Sequence, residues 1–210
     1  MKGIMFSEDM FKAVIGGEKT QTRRIIPIDP KDNLIGKGIT EWTTFEVHNT
    51  YEVIGHYPRY RKEDIVYLKE PYIKMHDGII FRYSKPGYLA EHKLSDKDNG
   101  VDSRLWENKM FMPARYARYF IKITNVRVER VQDISEKDAV AEGVGYGYRM
   151  NAGWPDYLNI KNGVCTITQD TAAASFGTLW EKINGKNLWE SNPWVWVYEF
   201  ELIDNIWIAE

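Results

Sequence analysis

Two apolar alternations constrain this chain more than any other feature. Tyr119, Ile121 and Ile123 alternate with polar residues, and Val126 and Val128 then continue the apolar face on the opposite parity. Side chains along a strand switch faces with a period of two, so a parity change marks a bulge or bend, here near Thr124 and Asn125. Behind Pro193, Trp194, Trp196, Tyr198 and Phe200 share one face of a second strand, while Val195, Val197, Glu199 and Glu201 share the other. Strands this apolar must be covered, and three helical segments are available to do it. Met10, Phe11, Val14 and Ile15 lie on one helical face. Ser7 is placed to cap that helix, Glu8 and Asp9 favour its positive end, and Gly16 or Gly17 stops it. Ser135, with Asp138 three residues on, opens a short second helix that Gly143 ends. Phe176, Leu179, Trp180 and Ile183 mark a third helix ahead of Gly185. The pattern predicts an α+β fold in which a curved or barrel-like sheet carries helices at its ends.

Between these landmarks, Asp64 to Glu70 reads as a strand that Pro71 terminates, with residues 79–83 as its hairpin partner across His76, Asp77 and Gly78. Residues 41–53 hold a further candidate hairpin, and Tyr57 to Arg61 reads as a loop. Residues 84–110 and 144–170 are charged or glycine-punctuated, and are expected to be excursions from the core. No repeat, low-complexity tract or linker divides the chain, so residues 1–210 are expected to form one domain.

Charge narrows the partners. Lys and Arg number 28 against 30 Asp and Glu, for a net charge of −2, which does not favour a general grip on long nucleic acid. A local basic pocket remains compatible with that balance. The one cysteine, Cys165, cannot form an internal disulfide and fits a reducing compartment. The apolar run at residues 1–6 is too short for a signal peptide, and no stretch reaches membrane-spanning length, so a cytoplasmic protein with no membrane partner is expected.

Chemistry concentrates in Gly16-Gly17-Glu18-Lys19-Thr20-Gln21-Thr22-Arg23-Arg24, just behind the first helix. A lysine can anchor an anion or, where burial lowers its pKa, act as a base. A threonine beside a base can attack a carbonyl. Lys19 and Thr22 are three apart, so in a continuous strand they point to opposite faces; they meet only if the chain turns between them. Without further context, the same run also reads as a solvated basic turn. Glu142 sits at a helix C-terminus, where the macrodipole disfavours a carboxylate and a structural choice would favour lysine or asparagine. On that reasoning, Glu142→Gln is expected to leave the fold unharmed or stabilise it. Glu70, ahead of Pro71, and Arg118, at the start of the long strand, each read either as pocket residues or as partners in an ordinary ion pair; Arg115 is a further candidate cation. Trp180, Trp194 and Trp196 read as core before they read as stacking platforms. His48, His56, His76 and His92 are scattered without metal-ligand spacing, and no phosphate loop, nucleophile elbow or dinucleotide fingerprint is present. Neither a metal nor a cofactor is expected.

Taken together, these motifs resemble a known family. Lys19-Thr20-Gln21-Thr22-Arg23-Arg24 after a short helix looks like the signature of the ASCH domain family of the PUA-like superfamily. The run from Ser135 to Val144, a short helix ending in Glu142-Gly143, resembles that family's second signature. Val66-Tyr67-Leu68-Lys69-Glu70-Pro71 and Asn192-Pro193-Trp194-Val195-Trp196-Val197 are similar to longer bacterial and phage members, leaving insertions near residues 27–62, 84–112 and 145–170. The resemblance implies a PUA-like β-barrel with short helices at its openings and loop insertions. It also implies a cleft for a nucleoside or short single-stranded RNA, with Thr20, Arg23, Arg24, Glu70 and Arg118 as candidate binding residues. Compact members hydrolyse the amide of N4-acetylcytidine with a lysine, a threonine and a glutamate, which fall on Lys19, Thr22 and Glu142. This chain is much longer than those enzymes. Its expected function is therefore an amidohydrolase of N4-acylated cytosine nucleosides, or alternatively a module that binds RNA or a modified base without turnover. Ribonuclease activity, reported for some relatives, stands behind both.

Overall fold

The computed structural model of the chain describes residues 1–27, 57–75, 78–81, 107–147, 153–161 and 164–203. The candidate hairpin at residues 41–53 and most of the excursion at 84–110 lie outside the described residues. The strands are β1 (Lys2–Met5), β2 (Gln21–Ile25), β3 (Ile65–Lys69), β4 (Tyr72–Met75), β5 (Gly78–Phe81), β6 (Phe120–Arg130), β7 (Trp154–Pro155), β8 (Ile160–Lys161), β9 (Val164–Cys165), β10 (Thr168–Gln169) and β11 (Trp194–Ile203). The helices are α1 (Glu8–Ile15), α2 (Glu136–Ala141) and α3 (Ala172–Asn184). Five strands form one mixed sheet in the order β1-β3-β6-β11-β2. The α+β class is therefore as expected; among the described residues no closed barrel is formed. None of the described helices is long and apolar enough to cross a membrane.

The chain divides into two compact units, each assembled from separate stretches of sequence. The first comprises Met1–Gly16, Ile65–Lys122 and Leu202–Glu210. In it β1 runs parallel to β3, and β3 pairs antiparallel with the start of β6, Val66 facing Ile121. Ser7 caps α1 by accepting from the Met10 N–H at 3.5 Å, and Phe11 and Val14 on the buried face of α1 are almost wholly enclosed. The hairpin differs from expectation. Its first arm is β4, after Pro71, and β4 pairs with β5 from Tyr72↔Phe81 to Met75↔Gly78. Strand β3 has both edges taken by β1 and β6, so residues 79–81 pair with the segment beyond the proline instead. Tyr72, Phe81 and Met112 form a small core beneath that hairpin.

The second unit comprises Gly17–Asp64 and Ile123–Glu201. Here β11 pairs antiparallel with β2 and carries apolar residues on both faces, with Val195 and Val197 as fully enclosed as Trp196 and Tyr198. A strand buried on both sides reads as a near-continuous hydrophobic run, which Trp194 to Tyr198 provides. Trp180, Trp194 and Trp196 are core residues. Burial along β6 changes parity between Ile123 and Val126 as anticipated, and the Asn125 side chain accepts from the Val126 N–H at 2.9 Å. The stretch at 144–170, expected to be loop, instead carries two short antiparallel pairs, β7 with β10 and β8 with β9. Two-residue strands have no apolar period to read, which is why the sequence does not announce them.

Helix α2 is held at its start by Ser135, whose hydroxyl accepts from the Asp138 N–H at 3.1 Å. At its end Glu142 is the C-cap and Gly143 turns the chain at φ 91°, a left-handed conformation suited to glycine. Because α2 has only six residues, its cap matters to its persistence. Ser135→Ala is expected to cost about 1 kcal/mol of stability, measured by urea unfolding.

Candidate functional site

The site grows from one backbone junction in the second unit. The Thr20 N–H donates to the Ala141 carbonyl at 2.8 Å, and the Thr20 carbonyl accepts from the Phe200 N–H at 2.9 Å. Thr20 thereby joins the end of α2 to β11, while its side chain is exposed. Gly17, at φ 77°, turns the chain just before this junction. The junction brings Lys19 to Glu142 across 123 residues of sequence. The Lys19 amine donates to Glu142 Oε2 at 2.6 Å and to the Glu142 backbone carbonyl at 2.7 Å. It is thus both an ion-pair partner and a ligand for a carbonyl at the helix end. Both side chains are about 95% enclosed, with 3% and 5% exposure.

Once β2 begins, strand alternation divides the signature. Gln21 and Arg23 project to one face and Thr22 and Arg24 to the other. Arg23 Nη1 donates to Glu142 Oε1 at 2.9 Å, so each oxygen of that carboxylate meets a different cation. On the same face Arg23 and Gln21 meet Glu129 and Asp138, and Arg127 continues the chain of charges to Glu199. Burial alone would push the Asp138 carboxyl up; Arg127, the Gln21 amide, Arg23 and the Ser135 hydroxyl together hold it below the usual range. Thr20, Gln21, Lys137, Asp138 and Glu199 border a cavity of about 250 Å³ at this end.

On the other face, Thr22 lies directly across from Tyr198. Thr22 is buried, and among the described residues its hydroxyl takes part in no hydrogen bond. The Tyr198 hydroxyl accepts from the Arg59 N–H at 3.0 Å, and its ring meets Tyr60 edge-on at 5.2 Å. Burial pushes the Tyr198 phenol up to about 12, against the opposing pull of the Arg59 and Tyr60 N–H groups. Burial likewise lowers the pKa of Lys19 below 10.5, although Glu142 works in the other direction; Arg24 and Arg23 reinforce the fall. Arg24, half-buried, is held below its usual range by burial, in opposition to Tyr60, Glu142 and Tyr198.

Lys19, Glu142 and Arg23 therefore meet, and Thr22 and Arg24 occupy the reverse face of the same strand. Glu70 and Arg118 lie in the first unit and pair with each other, Arg118 Nη2 and Nε donating to the two Glu70 oxygens at 2.7 and 3.0 Å. Burial raises the Glu70 pKa and Arg118 opposes that rise; the Arg118 guanidinium also stacks 4.1 Å from the Phe81 ring centre. Among the described residues no three His, Cys, Asp or Glu side chains gather closely enough to hold a metal ion. Gln21, Glu129, Asp138, Arg127 and Tyr198 are site residues that pattern reading passed over. A trace of Asp138 was visible as the acid of the second helix's cap, and Tyr198 had only its strand phase.

The expectation that Glu142→Gln is harmless does not survive this geometry. The carboxylate faces two buried cations, and removing one partner of a buried pair leaves an uncompensated charge. Glu142→Gln is expected to destabilise the protein by about 3–5 kcal/mol in urea unfolding. Tyr198 supplies a pH signature. Its folded pKa of about 12 lies above the ordinary 10.0, so its contribution to stability is complete below pH 10 and is lost as pH rises toward 12. Phenolate absorbance should show one tyrosine ionising near pH 12, absent in Tyr198→Phe, with stability falling over that window in the wild type alone. No protein-family profile matches the chain, and neither a curated protein nor a solved structure does.

Proposed function

We propose that this protein is an ASCH-type amidohydrolase that removes an acyl group from an N4-acylated cytosine nucleoside, with Lys19, Thr22 and Glu142 as its working groups. One observation carries the reading: a buried lysine amine in the signature that also holds Thr22, its pKa lowered by burial, is held at 2.6 Å by the Glu142 carboxylate of the second signature. Burial makes such a lysine easier to deprotonate than one in water, which suits it to act as a base. The neutral Lys19 amine takes the Thr22 hydroxyl proton as Thr22 Oγ bonds to the acyl carbon. The tetrahedral intermediate then breaks its C–N4 bond, and the Lys19 ammonium returns the proton to the departing cytosine amine. Water, deprotonated by Lys19, adds to the resulting threonine ester; as the C–Oγ bond breaks, Lys19 returns that proton to Thr22 Oγ and the carboxylic acid is released. Glu142 fixes the amine throughout, and Arg24, on Thr22's face, suits the oxyanion. The PUA-like barrel belongs to this proposal, with β2, β6 and β11 forming part of its wall. The small net charge favours a nucleoside or short single strand over a long duplex.

A second reading has its own observation. The Lys19 amine and both Glu142 oxygens are already engaged within the protein, an arrangement that would equally tie the β2 turn to α2 in a module that binds RNA or a modified base without turnover. Turnover separates the two. In the hydrolase, Thr22→Ala abolishes acid release from N4-acetylcytidine while nucleoside binding persists. Lys19→Ala also abolishes it, and Lys19→Arg does not restore it, because a guanidinium stays protonated. A wild type that binds the nucleoside yet releases no acid over hours selects the binding module.

A further inference from the structure

We propose that Arg23 is a positioning residue for Glu142, acting through an ionic relay anchored on Glu129 and Asp138 and not through contact with substrate; this rests on the hydrolase reading above. The Arg23 side chain is fully enclosed, at 0% exposure. Its Nη1 donates to Gln21 Oε1 at 2.6 Å and to Glu142 Oε1 at 2.9 Å. Its Nε donates to Glu129 Oε1 at 3.0 Å, Nη2 donates to the same oxygen, and Nη2 lies 3.6 Å from Asp138 Oδ2. The Phe176 ring of α3 lies 5.6 Å from the guanidinium carbon. A planar guanidinium held along its edges by three carboxylates and an amide has no rotational freedom left.

The anchors are themselves fixed. Gln21 Nε2 donates to Asp138 Oδ1 at 3.2 Å, which turns the Gln21 oxygen toward Arg23. Arg127 donates to Glu129 Oε2 at 3.2 Å and to Asp138 Oδ2 at 2.8 Å, and it also pairs with Glu199 of β11. The relay thus draws on β2, β6, α2 and β11, and its inner end is the oxygen of Glu142 that does not touch Lys19. With Oε1 held by Arg23, the carboxylate cannot rotate, and Oε2 stays directed at the lysine amine. The described charged groups facing Glu142 are Lys19, Arg23 and Arg24; those facing Arg23 are Glu129, Asp138 and Glu142. Deleting Arg23 removes the donor that holds Glu142 Oε1, and neutralising Glu129 loosens the fork that aims that donor.

The test follows the Lys19 amine by nitrogen NMR in ligand-free protein, with the signal assigned by its loss in Lys19→Ala. Arg23→Gln and Glu129→Gln are each expected to speed hydrogen exchange at that amine about tenfold, because Glu142 Oε2 is no longer held against it. In N4-acetylcytidine turnover, Glu129→Gln should lower kcat about tenfold at unchanged KM. Arg23→Lys should restore neither slow exchange nor kcat, since it returns the charge but not the planar fork. Unaltered exchange in Glu129→Gln overturns the proposal, and so does an Arg23→Lys variant that raises KM while kcat stands. Should Arg23→Gln fail to fold, Glu129→Gln carries both readouts. A wild type inactive on every acylated cytosine would end the hydrolase reading, while the exchange rates would still decide whether Arg23 governs Glu142.

Discussion

The second unit depends on one carboxylate in an unfavourable place. Glu142 closes α2 at the end where the helix dipole is negative, and it is removed from water. Either circumstance alone would disfavour an ionised acid there. Both are offset because Lys19 and Arg23 approach it from the turn and the strand that follow α1, one cation to each oxygen. The same lysine satisfies the carbonyl of Glu142, so a helix of six residues is closed by a side chain from a distant segment. A buried ion pair adds little net stability over a well-packed apolar substitute, because desolvation consumes much of the Coulombic gain. The pair instead matches the arrangement: with Thr20 bonded to Ala141, Lys19 faces Glu142.

That register also explains why one short signature serves two faces. Thr20 is fixed by backbone bonds to Ala141 and Phe200, so strand alternation starts from a set point. Gln21 and Arg23 then turn toward the carboxylates of α2 and β6, and Thr22 and Arg24 turn toward Tyr198 and Tyr60. Lys19, placed before the strand begins, is not bound by the alternation. Its amine feels Arg24 more strongly than Arg23, although it bonds the carboxylate that Arg23 also holds. Between Lys19 and Thr22 the chain passes the junction at Thr20, and β2 then runs on from Gln21 to Ile25.

Local signals in the sequence were legible where the physics is local. Ser7 and Ser135 announce their helices because a hydroxyl capping an N–H three residues on needs no distant partner. The parity change in β6 was readable because both sides of it are apolar and buried. The oddity of Glu142 was readable too, as a charge in the wrong place, but its compensation was not. Arg23 and Glu142 are 119 residues apart and Arg23 and Glu129 are 106 apart, and no period connects such positions. Hence Arg23 read as a residue for ligand, when its donors are directed at protein carboxylates and an amide. The hairpin was misplaced for a related reason: β3 looks like a free hairpin arm until one knows that β1 and β6 occupy both of its edges.

Glu70 and Glu142 differ in how their burial is compensated. Both are enclosed, and both meet a guanidinium. Among the described residues Glu70 meets one cation, Arg118, whose side chain is 29% exposed, and burial prevails enough to raise its pKa. Glu142 is flanked by two cations, and the inner one, Arg23, is backed by Glu129 and Asp138, which Arg127 in turn holds. Exposure along that chain climbs from 0% at Arg23 to 29% at Arg127 and 38% at Glu199. Solvent and salt weaken the outer contacts far more than the inner ones, since screening acts on exposed charges. The outer links can therefore fluctuate with conditions while the inner geometry persists, and it is the inner geometry that faces Lys19.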